Sequence, residues 1–121
     1  MTVNEAIAQF DALVPNSRTT AEKIAWLSEC DGMMFDRLLD FYIETEGSFS
    51  GYSSGDGGTE LLIKPPYDGL YICYLQFKND YFNEEFDRAN NSLSQFIKTV
   101  SDCRNSVNRN NTHKSRRMRY L

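Results

Sequence analysis

Apolar and long-stemmed residues recur at helical intervals in the second half of the chain, at Tyr71, Leu75, Lys78, Phe82, Phe86, Ala89, Leu93, Phe96, Val100, Cys103 and Val107. From Phe86 onward the steps alternate three and four, the spacing of a helical seam, and period-two alternation never appears. At ~1.5 Å per residue a seam of about 40 residues spans roughly 60 Å if unbroken. A chain of 121 residues has too little else to cover such a seam, so the pattern predicts a partner. Pro65-Pro66 holds the backbone extended ahead of it, and Asp68 is the expected cap of its first turn. Asn90-Asn91-Ser92 is the expected break, because short polar side chains favour helix starts and Ser92 with Gln95 has capping-box spacing. The prediction is two helices, 68–89 and 92–107, folded as a hairpin. One unbroken helix is the alternative that the seam's continuous phase leaves open.

The first half shows two further helices. Thr2 and Glu5 have capping-box spacing, and Val3, Ala6, Ile7, Phe10 and Leu13 then share one face until Pro15. Thr19 and Glu22 repeat the signal ahead of Ile24, Leu27, Met34, Phe35, Leu38, Leu39 and Tyr42. These patterns predict helices over 3–14 and 20–45, the second with Trp26 on its flank. Gly32 costs a helix only about 1 kcal/mol relative to Ala, so it predicts a kink or a close helix–helix crossing, not an end. The expected core is Ile24, Leu27, Phe35, Leu38, Leu75, Phe82, Phe86, Leu93 and Phe96.

Between the halves the character changes. Five of the seven glycines fall at positions 47, 51, 55, 57 and 58, interleaved with serines, and Thr59 to Lys64 reads as a short extended segment. A Gly-rich loop cradles phosphate when a strand precedes it and a helix follows. Here a helix precedes, an extended segment follows, and no Gly-Lys-Ser/Thr ending is present, which argues against nucleotide binding. A loop over 46–66 is long for a small domain and reads as a flexible excursion with its own task. Phe49, Tyr52, Leu61, Leu62 and Ile63 are its candidate contacts to another subunit. The fold class is therefore mainly α: a small bundle of about four helices over 1–107, with a long loop, a short extended segment and a basic C-terminal arm over 108–121.

Charge sharpens the view of that arm. Residues 1–103 hold 7 Lys and Arg against 17 Asp and Glu, a balance of −10, while residues 104–121 hold six basic residues and no acid. Such polarity predicts an arm that seeks an acidic or phosphate surface. Arg109, Lys114, Arg116, Arg117 and Arg119 are its candidate binding residues, and Tyr120 and Leu121 form a small apolar hook. The arm is expected to order only on a partner.

Candidate chemistry is sparse. The three cysteines, Cys30, Cys73 and Cys103, form no CxxC pair and read as buried free thiols, and the single histidine, His113, lies in the arm. Glu84, Glu85 and Asp87 read as a solvated face, since neighbouring helical residues point apart. No catalytic, cofactor or metal residues are expected, and the chain is not expected to be an enzyme. No run reaches the ~18 apolar residues of a membrane span, and the N-terminus lacks the basic start and apolar stretch of a signal peptide. A cytoplasmic protein is expected.

Three stretches taken in order carry a resemblance. They are Ala25-Trp26-Leu27-Ser28-Glu29-Cys30-Asp31-Gly32, then Thr59 to Asp68 with Leu70-Tyr71-Ile72, then Asp80-Tyr81-Phe82-Asn83-Glu84-Glu85-Phe86 with Asn90-Asn91-Ser92. Together they span roughly residues 2–107. Their order and spacing resemble the head–tail connector or adaptor proteins of tailed bacteriophages of Gram-positive hosts. The chain departs from that pattern at Cys30, where an apolar residue is expected, and in a longer basic end after residue 113. The resemblance implies a virion structural protein, assembled in the host cytoplasm. Its copies would form a twelvefold ring beneath the portal protein, receive a tail or stopper protein, and extend the channel through which DNA passes without sequence-specific binding. It also implies no catalytic residues, no cofactor and no membrane, and it makes the portal the favoured acceptor of the arm, ahead of a neighbouring subunit and DNA. The competing expectations are a small nucleic-acid-binding regulator using the arm, and an acidic DNA mimic, which the arm's sign disfavours.

Overall fold

The computed structural model describes residues 1–39 and 49–110, and it is mainly helical. Helix α1 spans Val3–Leu13, α2 spans Thr20–Met34, α3 spans Leu70–Phe82 and α4 spans Phe86–Asn110. Both N-terminal capping boxes form in full. Thr2 and Thr19 accept from the amides of Glu5 and Glu22, whose carboxylates accept in return from the cap amides. Reciprocal bonds of this kind satisfy two of the amides that every helix start leaves free.

Helix α2 continues through Gly32 and then widens into a π-helical turn over Phe35–Leu39. As expected, Gly32 does not end the helix, and among the described residues no helix crosses closely there. Among the described residues a Cβ there would meet only the ring of Phe49, at 4.0 Å. The predicted continuation over 40–45 lies outside the described residues.

Helices α3 and α4 make the predicted hairpin, and theirs is the most extensive pairing among the described elements. The break falls elsewhere. It lies at Asn83–Glu85, and Asn90, Asn91 and Ser92 sit inside α4. The Glu84 and Glu85 amides donate back to the carbonyls of Tyr81 and Asp80, at 3.1 and 2.9 Å, and Glu84 adopts φ 60°. A non-glycine residue in that region crowds its Cβ against the backbone, at a cost of roughly 1–2 kcal/mol. Glu84→Gly should therefore raise stability by about 0.5–1 kcal/mol, less than the full relief because glycine also loosens the unfolded chain. Thermal denaturation of the two proteins checks this. At its other end α3 starts after Gly69 without a side-chain cap, so Asp68 does not play the expected part.

The core gathers Val3, Phe10, Ile24, Leu27, Cys30, Leu61, Leu70, Tyr71, Leu75 and Phe96 from all four helices and the loop. Of the expected core, Ile24, Leu27, Leu75 and Phe96 are buried, and Phe35 and Leu93 are half-buried. The side chain of Leu38 lies outside what the structure describes. Phe82 and Phe86 are corrected, at 53% exposed each. Trp26, expected on the flank, is buried instead. Cys30 and Cys103 are buried free thiols and Cys73 is half-buried.

Residues 49–69 lie along the helices and are not a free excursion. The segment 57–61 pairs with the first residues of the chain through Val3 N–H to the Thr59 carbonyl, Asn4 N–H to Gly57 and Leu61 N–H to Met1, at 2.9–3.0 Å. The only pairing of strand type among the described residues is one bridge, Thr2 to Glu60, which falls within the expected extended segment over 59–64. Gly51, at φ +92°, makes the reversal that sets the Tyr52 amide on the Ser28 hydroxyl at 2.8 Å. Small residues let this backbone run close to α1 and α2, while Leu61 and Ile63 plug it into the core.

Among the described residues no helix is long and apolar enough to cross a membrane.

Candidate interaction surface

Asp31 on α2 is wholly buried, and it ties the loop to the helices. Its carboxylate accepts from the hydroxyls of Tyr52 and Tyr71 and from the Leu62 amide, the last at 3.1 Å. Tyr71 in turn accepts from the Ile63 amide at 2.8 Å. Burial holds the Asp31 carboxyl above the usual aspartate range, against the opposing pull of those hydrogen bonds. Burial, reinforced by the neighbouring carboxylate, also pushes both tyrosine hydroxyls well up, so they stay protonated and donate. All the polar partners of Asp31 are spent within the chain. This cluster is structural cement, and it fixes the loop against α2 and α3.

Among the described residues, exposed aromatic rings cluster at the α3–α4 corner. Tyr81, Phe82 and Phe86 are 50%, 53% and 53% exposed there. Their rings pack edge to face, with Tyr81 at 5.5 Å from Phe82 and 5.8 Å from Phe86. The corner is held from behind. Phe82 stacks on buried Trp26 at 5.9 Å, and the Arg18 guanidinium lies over both rings. Arg18 also donates to the side chains of Asn79 at 3.2 Å and Asn83 at 2.7 Å. The linker between α1 and α2 thereby clamps the C-terminal end of α3 and presents the aromatic rings in a set position.

Acidic side chains rim this patch. Glu84, Glu85, Phe86, Asp87 and Arg88 line an open hollow of about 480 Å³. Arg88 pairs with Glu85 at 3.0 Å, leaving the exposed Glu84 and Asp87 to set the local sign. A second apolar groove, of about 340 Å³, runs between the end of α2 and α4, with Met33, Met34, Phe96, Ile97 and Val100 flanked by Arg37 and Arg104.

The sequence-predicted contact residues fall in three groups. Leu61 and Ile63 are buried in the chain's own core and are not presented to a neighbour, and Leu62 is half-buried with its amide on Asp31. Phe49 and Tyr52 are half-buried and pack edge to face on each other at 5.2 Å. Arg109 stands in the last turn of α4, which runs to Asn110, past the expected start of the arm at 108. Lys114, Arg116, Arg117, Arg119, Tyr120 and Leu121 lie outside the described residues. Sequence reasoning missed Tyr81, Phe82 and Phe86 as surface residues, because Phe82 and Phe86 stand four apart and continue the seam.

Among the described residues no three His, Cys, Asp or Glu side chains gather as a metal site. The chain matches no family model, no curated protein and no solved structure.

Proposed function

We propose that this chain is a head–tail connector subunit of a tailed bacteriophage, one of the copies that form a ring beneath the portal protein and join it to the tail. The observation that carries the reading is the aromatic corner. Tyr81, Phe82 and Phe86 pack ring on ring and are left half-exposed side by side. Clustered exposed aromatics mark surfaces that another protein covers. The three stretches that resemble connector proteins support the same reading, and the third of them contains this corner. In this function the protein binds and positions, and no step requires a cofactor or a catalytic group. DNA would pass through the ring without sequence-specific contacts, since residues 1–103 carry a balance of −10 that repels phosphate.

Size-exclusion chromatography with light scattering, with and without the portal protein of the same virus, tests the proposal. The expected result is a complex of ring mass containing both proteins. A monomer that ignores the portal and binds duplex DNA tightly through its basic arm would instead establish the regulator.

A further inference from the structure

The aromatic corner is complementary to a segment of this same chain. The corner offers three exposed rings rimmed by Glu84 and Asp87, above an open hollow whose floor includes Phe86. Residues 111–121 carry Lys114, Arg116, Arg117 and Arg119 and then Tyr120 and Leu121, with no acid among them. A basic, aromatic-tipped peptide matches an acidic, aromatic-lined corner in both charge and apolar character. Arginine adds a specific contribution, since its guanidinium stacks on aromatic faces while pairing with carboxylates.

Geometry then separates the chain's own corner from a neighbour's. The corner lies at the N-terminal end of α4 and the arm leaves from the C-terminal end. The 25 residues of α4 put about 37 Å between them at ~1.5 Å per residue. Eleven residues, 111–121, reach at most about 40 Å when fully stretched. To bring Tyr120 and Leu121 onto its own corner the arm would have to lie taut along the whole of α4, at the greatest cost in chain entropy. A second copy placed beyond the end of α4 offers the same corner without that constraint.

We infer that the basic segment 111–121 of one copy docks on the Tyr81–Phe82–Phe86 corner of the next. The contact is head-to-tail, with different surfaces of the two copies meeting, and contacts of that kind close into rings when the rotation between copies permits. The inference rests on the connector reading and deepens it, because it names the surface through which neighbouring subunits join. Exposed ion pairs steer and set register and contribute little affinity each, so the rings and the Tyr120–Leu121 hook carry most of the binding.

A fluorescein-labelled peptide of residues 108–121, titrated with the full-length protein and followed by anisotropy, tests it. Wild type should bind saturably. Phe86→Ala, at a position exposed enough to leave helicity intact, should weaken binding roughly tenfold or more. The double variant Glu84→Lys, Asp87→Lys should weaken it and flatten its salt dependence. A peptide with Tyr120 and Leu121 replaced by alanine should bind worse than one that keeps them. The inference is overturned if wild type fails to bind, if the corner variants bind as wild type does, or if a scrambled peptide of equal charge binds as well. A peptide that ignores the corner and binds portal protein assigns the arm to the portal and likewise overturns it. The failures of the two readings are distinguishable. Corner binding by a chain that never joins a portal would remove the connector reading alone, whereas a chain that joins the portal with an indifferent corner would remove only the arm contact.

Discussion

Asp31→Ala should destabilise the fold by about 3–5 kcal/mol, the largest effect expected of any single substitution at a polar residue here. Three donors lose their acceptor at once: the hydroxyls of Tyr52 and Tyr71 and the amide of Leu62. Each buried donor left unsatisfied costs about 1–3 kcal/mol, and the half-buried Tyr52 recovers part of its share from water. A domain of this size is stable by only about 5–15 kcal/mol in all, so the variant should sit near the unfolding threshold. Asp31→Asn keeps one acceptor oxygen and adds a donor, and should cost much less. The pair also carries a pH signature. Burial raises the folded-state pKa of Asp31 above its unfolded value. Its contribution is therefore fully present below about pH 4 and is lost as pH rises through the folded pKa. Wild type should lose stability relative to Asp31→Asn across that window, and urea denaturation at a series of pH values checks the slope. A parallel slope in both proteins would show that folding does not raise the Asp31 pKa.

Phe96→Ala and Phe86→Ala should part company, although both residues belong to one periodic seam. Phe96 is 7% exposed and packs against Tyr74 at 5.2 Å, so its truncation leaves a cavity and should cost about 3–5 kcal/mol. Phe86 is 53% exposed, and its one aromatic contact among the described residues is with Tyr81, so its truncation should cost about 1 kcal/mol or less. The sequence pattern alone assigns both residues to the core and expects both variants to unfold. Equal losses on thermal melting would restore that expectation and show Phe86 to be as buried as Phe96.

This contrast shows which parts of the molecule were legible beforehand. The starts of α1 and α2 were readable because Thr2 with Glu5 and Thr19 with Glu22 are local signals that need nothing distant. The four-helix, mainly α character followed from the seams. The corner was not readable, because it turns at Glu84, a residue type that gives no warning of a positive φ, and because Phe82 and Phe86 keep helical phase across the turn. The polar triplet Asn90-Asn91-Ser92 looked like the break but lies within α4, where Asn90 and Asn91 are exposed to solvent. Glycine and serine announced a loop but not its attachment, which depends on Asp31 meeting Tyr52 and Tyr71, residues 21 and 40 positions away in the chain. An aspartate in the middle of an apolar helix face was the one available hint of that cluster.

The central claim is that the α3–α4 corner exists to be covered by another copy of this protein. Hydroxyl-radical footprinting read by mass spectrometry measures it directly, by comparing the oxidation of Tyr81, Phe82 and Phe86 in the isolated monomer and in the assembly that the protein forms with itself. The account predicts strong labelling of all three in the isolated chain and marked protection in the assembly, with buried Phe10 and Tyr71 unreactive in both. Equal labelling of the corner in the two states would contradict it.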